Sequence, residues 1–373
     1  MKEIKVAIVG VGNCASSLVQ GIEMYRDKYE GKKELPEKIP GLITTNFGGY
    51  YPWDIKFVLG IDVDRRKVGK DLSEAIFELP NCTTVFFKNI KNLNAPVIQG
   101  YIIDSIAPHI FEYPLNQRFA PLENIDKDED AACERIVNEL KKRKVDVMVN
   151  YLPVGSEENV KFYARCALEA KVAFVNAMPV FISQFWGEKF QKAGVPILGD
   201  DIKSQLGATI LHRVITRLCE DRGIKIKRTY QLNVGGNTDF LNMLDRTRLK
   251  SKRVSKTNAV TSQMDKVIAE ENIYVGPSDY VPWLKDNKIC YIRVEGEHYG
   301  GVPLYIDLKL SVEDSPNSAG VITDAIRAAK VALDKKMAGP IIEASAYLFK
   351  SPVKQYDDAT ALKMLKEFAG IKE

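Results

Sequence analysis

The chain of 373 residues carries 53 Lys+Arg against 49 Asp+Glu, a net charge of +4, with 45% hydrophobic and 27% charged residues. That length exceeds one ordinary hydrophobic core and predicts two domains. The near balance of charge argues against a protein built to coat nucleic acid, and no stretch reaches the roughly 18 continuous apolar residues of a membrane span.

The start, "MKEIKVAIVG", runs directly into a strand pattern with no secretory signal before it, so a cytoplasmic protein is expected. Residues 4–10 form an apolar, β-branched run ending in glycine, the pattern of a buried parallel strand and turn. A helix follows over 13–29, with Leu18, Ile22 and Tyr25 at helical spacing. Residues 30–52 are rich in glycine and proline and predict an extended insertion. Strands are predicted at 55–64 and 172–179, and strand-then-loop segments at 145–155 and 195–201, with a helix over 156–171. Strand alternating with helix indicates a Rossmann-type, doubly wound α/β sheet. Beyond about residue 225 the segments "IKRTYQLNVGGNTDF", "KICYIRVEGEHYG" and "VPLYIDLKLSVED" alternate polar and apolar residues, as one-faced strands do. They predict a second, α+β domain. The helical tail from about 316 is expected to return to the first domain.

Six cysteines, at 14, 82, 133, 166, 219 and 290, show no C-x-x-C pair and read as small buried residues in a reducing compartment. The three histidines show no pairing that supports His-based catalysis. "GVGNCA" fits G-x-G-x-x-[GA] in the required strand-to-helix setting. Gly10 permits the turn, Gly12 admits a pyrophosphate, and Ala15 allows close packing, with Asn13 and Cys14 between them. A plain tight turn is the alternative reading. Asp62 and Asp64, at the end of the second strand, fit the place of an acid that binds ribose hydroxyls and favours NAD over NADP, farther along the chain than the usual roughly 20 residues because of the insertion. "GDDIKSQLGAT" sits at a strand's carboxyl end, where Ser204, Gln205 and Thr209 would meet an anion, or where Asp200 or Ser204 would simply cap a helix. Asn233, Asn237 and Asp239 surround two glycines and suit a polyol, or a polar turn. "DSPNSAG" places Asp314 before a helix start, which alone reads as a turn and cap. Lys350, in "ASAYLFKSP", is either partly desolvated and suited to proton transfer or a snorkelling surface lysine. "LKSKRVSK" packs four cations into eight residues and reads as solvated surface, nucleic-acid patch or small-anion site.

Taken together, "AIVGVGNCASSLVQG", "YLPVGSEE", "GDDIKSQLGAT", "LNVGGNTDFLNM", "SKRVSKT", "GPSDYVPWL", "DSPNSAGV" and "ASAYLFKSP" closely resemble the myo-inositol-phosphate synthases, in particular their short bacterial and archaeal branch. The resemblance implies a discontinuous NAD-binding domain over 1–204 and 314–373, with a catalytic and tetramerisation domain over 205–313. It implies conversion of D-glucose 6-phosphate to 1L-myo-inositol 1-phosphate, by oxidation at C5, enolisation, aldol closure onto C1 and re-reduction by the same NADH. It places Lys252 and Lys350 at proton transfer and Lys256 and Lys288 at the phosphate, with Ser204, Gln205 and Asn237. Asp201 and Asp314 would orient the lysines, Asn233 and Asp239 the polyol. Gly10, Gly12, Asn13, Cys14, Ala15, Asp62 and Asp200 would hold the cofactor. Some relatives use a cation, but no ligand cluster with decisive spacing is present here. Glucose 6-phosphate and further copies of the chain are the expected partners, with no nucleic acid and no membrane. An ordinary NAD(P) dehydrogenase of another phosphorylated sugar or amino-acid precursor is the competing reading; it needs no lysine cluster.

Overall fold

The computed structural model describes residues 2–371; within it the side chains of residues 249–253, 256, 277 and 278 lie outside the described residues. Chain order in the first half is β1 (Ile4–Val9), α1 (Asn13–Tyr29), β2 (Ile55–Asp62), α2 (Leu72–Ala75), β3 (Val97–Gln99), α3 (Glu129–Lys142), β4 (Val147–Asn150), α4 (Glu157–Ala170), β5 (Ala173–Asn176), α5 (Ile182–Ala193) and β6 (Pro196–Leu198). The second half adds α6 (Ala208–Asp221), β7 (Lys225–Gly235), α7 (Thr238–Asn242), α8 (Lys250–Thr261), β8 (Ile273–Tyr280), β9 (Asn287–Glu297) and β10 (Pro303–Glu313). It closes with α9 (Asp314–Asp334), β11 (Gly339–Pro340), α10 (Ile342–Leu348) and α11 (Asp358–Phe368).

Seven strands form one sheet in the order β11-β6-β5-β4-β1-β2-β3, and its pairings are parallel. Side chains alternate across a strand. In β1 the set Ile4, Val6 and Ile8 therefore packs under α1, α9, α10 and α11, while Ala7 and Val9 pack under α3, α4 and α5. Burial on both faces explains the continuous apolar runs. The order reverses between β1 and β4, the switch point where such sheets bind ligands at the strands' carboxyl ends.

The second sheet runs β10-β9-β7-β8, antiparallel except for the parallel β7–β8 pair. One face packs on α6 and α8 through Val275, Ile292, Val294 and Val260. The other leaves Tyr230, Tyr291 and Tyr305 exposed. β10 continues directly into α9, which carries the chain back onto the first sheet.

The 30–52 insertion is pinned by α9. Buried Arg327 donates to the carbonyls of Thr44, Thr45 and Tyr50 and pairs with Asp324, whose Oδ2 accepts the Ile43 N–H at 2.8 Å. At Gly320 the helix lies directly on this segment: a Cβ there would stand 1.9 Å from the Gly41 carbonyl oxygen. Backbone meets backbone, so no rotamer relieves the clash. Gly320→Ala is expected to destabilise the fold by about 1–3 kcal/mol or more, read as a lower midpoint in urea unfolding. An unchanged midpoint would contradict this packing.

Candidate active site

The β1–α1 turn forms one wall of a cavity at the switch point. Gly10 has φ +86°, and a Cβ there would meet the Tyr151 carbonyl oxygen at 2.8 Å, so only glycine fits between the β1 and β4 loops. A Cβ on Gly12 would meet nothing within 4 Å. Gly12 also caps α1 without a side-chain hydrogen bond, which leaves the first N–H groups of a 17-residue helix for an anion. Asp62 Oδ2 accepts the Val11 N–H at 2.7 Å, and Oδ1 accepts those of Val63 and Asp64. The Asp62 carboxylate thus ties the turn to β2 while lining the cavity. Asn13 Oδ1 accepts from the Cys82 and Thr83 N–H groups, so its amide clamps a neighbouring loop. Cys14 lies between the Ser315 and Ser318 hydroxyls, and burial pushes its thiol up to about 12. It is a neutral wall residue, not a nucleophile.

The cavity lining also carries two lysine–carboxylate pairs. Lys350 Nζ donates to Asp201 Oδ1 at 2.7 Å, and its backbone N–H donates to the Asp201 carbonyl. Asp201 holds a left-handed backbone, φ 60°, and its Oδ2 accepts the Ser255 hydroxyl at 2.6 Å; Ser351 in turn donates to Ser255. The basic segment is therefore anchored to the Asp201–Lys350 pair through α8. Lys288 is ion-paired with Asp314. Burial alone would lower the Lys288 pKa, but Asp314, Asp239 and Asp286 hold it above its ordinary value. Each of these two lysines therefore faces a carboxylate.

Asp286 is buried and accepts from Asn237 Nδ2 at 2.9 Å and from the Ser315 N–H and hydroxyl; its own carbonyl accepts the Asp314 N–H. Burial and the Asp314 charge push it up to about 6. Asn237 Oδ1 caps α7 by accepting the Asp239 and Phe240 N–H groups. Beyond Ser204, Lys288 and Lys350 the cavity meets a smaller recess, lined by Gly207, Thr209 and Asn233. There α6 begins at Gly207 with no side-chain cap, so two ammonium groups and a helix N-terminus share one pocket.

The cavity thus brings together Gly10, Gly12, Asn13, Cys14, Asp62, Asp201, Ser204, Asn237, Asp239, Lys288, Asp314 and Lys350, and the recess adds Asn233. Three expected residues stand elsewhere. Asp200 is fully buried, accepts from Ser183 and Asn176, and caps α5 from behind; burial raises it to about 7. It ties the loop to Asn176 and Ser183 and is not part of the cavity lining. Gln205 is exposed, its N–H held by the Asn317 carbonyl and its amide turned toward Gly41. Ala15 is core, packed away from the cavity. Lys252 and Lys256 fall within α8, but their side chains lie outside the described residues.

Four residues escaped the sequence reading. Asp286 hid in a polar loop, Lys67 in an ordinary charge run and Ser255 between basic residues. Lys203 is the fourth: buried, it donates to the Ala346 carbonyl, and burial and Arg213 lower it to about 7 against the pull of Asp358. Among the described residues no group of three or more His, Cys, Asp or Glu is placed to hold a metal ion, so the possible cation gains no support. Nor is any described helix long and apolar enough to cross a membrane.

Residues 207–315 match the sequence profile of the family described as Myo-inositol-1-phosphate synthase. The inositol-3-phosphate synthase of Mycolicibacterium smegmatis is 53% identical over 372 residues, covering 98% of each chain. That of Mycobacterium tuberculosis is 52% identical over 368 residues, 98% of this chain and 95% of the other. The crystal structure of a myo-inositol-1-phosphate synthase-related protein from Thermotoga maritima is 26% identical, covers 99% of both chains and superposes with a TM-score of 0.79. With half its residues shared over nearly the full length of both relatives, the chain belongs to the myo-inositol-1-phosphate synthase family.

Proposed function

We propose that the protein converts D-glucose 6-phosphate to 1L-myo-inositol 1-phosphate with NAD as a recycled cofactor. The observation that carries this reading is one cavity holding both a dinucleotide cradle and two carboxylate-held lysines. The cradle fits NAD: Gly12 leaves open space, α1 presents uncapped N–H groups, and Asp62 lines the cavity at the end of β2, where a carboxylate would bind ribose hydroxyls and oppose a 2′-phosphate. NAD, when bound, supplies hydride acceptance at C5 and hydride return at the end.

The chain's own residues then handle charge and protons. Lys350, oriented by Asp201, exchanges a proton with the sugar oxygen that changes between hydroxyl and ketone. Lys252 is assigned the partner transfer at the second reacting oxygen. Lys288 stays charged beside Asp314 and stabilises oxyanions, the largest electrostatic demand of an enolate and aldol sequence. The α6 N-terminus, Ser204, Lys288 and Lys256 hold the phosphate, and Asn233, Asn237 and Asp239 order the polyol hydroxyls. Self-association into a tetramer is part of the same proposal, and the exposed tyrosine face of the second sheet is a surface available to it. The direct test incubates the protein with glucose 6-phosphate and substoichiometric NAD⁺. A periodate-labile inositol phosphate in excess of the NAD⁺ is expected. No product, with NADH rising in proportion to added NAD⁺, would leave an ordinary dehydrogenase instead.

A further inference from the structure

Lys67 follows β2 and is 1% exposed. Its Nζ donates to the Val11 carbonyl at 2.7 Å and to Asn81 Oδ1 at 2.9 Å. An ammonium has three N–H groups, and here two end on neutral acceptors. The neighbouring cations are paired, Arg66 with Asp64 and Lys70 with Glu78, but among the described residues no carboxylate forms an ion pair with Lys67. Asp62 and Asp64 are near enough to favour its charge, yet burial outweighs them and lowers its pKa. A buried cation without a paired anion is costly. This one lines the cavity together with Gly10, Gly12 and Asp62, at the end where the N-terminus of α1 opens. Lys288 and Lys350, the other described cations of that cavity, already have carboxylates. The two peptide groups flanking Val11 are also gripped from opposite sides, the N–H by Asp62 and the carbonyl by Lys67.

We propose that Lys67 is a cofactor-binding residue, whose ammonium supplies fixed positive charge for the phosphates of the bound dinucleotide while its bond to Val11 holds the glycine turn in place. The inference rests on the NAD reading and adds a residue and a role to it. Lys67→Gln keeps donors for Val11 and Asn81 and removes the charge. With the full-length chain, affinities for NAD, ADP and adenosine are measured by calorimetry, alongside thermal unfolding. Loss of a charge-assisted contact is expected to weaken NAD and ADP by roughly tenfold or more, with adenosine unchanged. Lys67→Arg, which restores the charge, is expected to recover most of the ADP affinity. Equal weakening of ADP and adenosine overturns the proposal, because a mere prop for the turn gives that result. So does an Arg variant no better than Gln at a native melting temperature, or a Gln variant that binds NAD as the unaltered protein does. An unaltered protein that takes up no NAD sinks the cofactor reading itself and this inference with it.

Discussion

Lys350→Ala is expected to abolish inositol phosphate formation, by roughly 10²–10⁴-fold, while NAD binding survives. The Lys350 ammonium ends 2.7 Å from Asp201 in the cavity lining, and none of its hydrogen bonds goes to the glycine turn. Removing it leaves Asp201 with the Ser255 hydroxyl and with no ion-paired cation among the described residues. Asp201 is nearly buried, so the orphaned carboxylate also carries a desolvation cost, visible as a modest fall in melting temperature. Calorimetry with NAD and a product assay separate the two effects. Turnover retained in a folded Lys350→Ala protein would refute the proton-transfer role. Lost NAD binding would show that the lysine serves the cofactor instead.

Lys288→Met is expected to cost about 10²–10³-fold in turnover, the scale of removing one preorganised charge from an oxyanion site. Its consequences differ from those of Lys350 because three carboxylates face it. Asp314, Asp239 and Asp286 all hold Lys288 above its ordinary pKa, and by reciprocity the Lys288 charge favours the ionised form of Asp286. Without it, Asp286, already pushed up to about 6, rises further. Residual activity in the variant should therefore show its acid limb at higher pH than the unaltered protein. A pH–rate profile measures both the drop and the shift. An acid limb that stays in place, or moves to lower pH, would contradict the carboxylate arrangement described here.

Much of the fold was legible because it depends on local pattern. A strand buried on both faces reads as a near-continuous apolar run, interrupted in β1 only by Lys5 and in β4 only by Asn150, and a strand buried on one face alternates, as β7, β9 and β10 do. The glycine turn was legible because Gly10 meets a physical need, a left-handed backbone against Tyr151. The site was less so, since its residues meet through contacts between distant segments. The burial of Asp200 had no local sign, because its partner is the start of a helix that precedes it in the chain. The exposure of Gln205 outside the cavity had no local sign either, because Asn317, more than a hundred residues on, holds its backbone. Asp286 and Lys67 gave no local signal: one is a polar loop residue and the other one cation among several. Only their burial and their partners distinguish them. Of "LKSKRVSK", the structure speaks for Ser255, which links α8 to Asp201, while Lys252 and Lys256 lie outside the described side chains.

The central claim is that oxidation and reduction occur on one substrate without net redox change. Glucose 6-phosphate deuterated at C5 tests it most directly, with unlabelled NAD⁺ in small amount and the product analysed by mass spectrometry and NMR. The expected result is an inositol phosphate that retains the deuterium at a single carbon, with no accumulation of NADH. Deuterium building up in free NADH beside an oxidised sugar phosphate would contradict it.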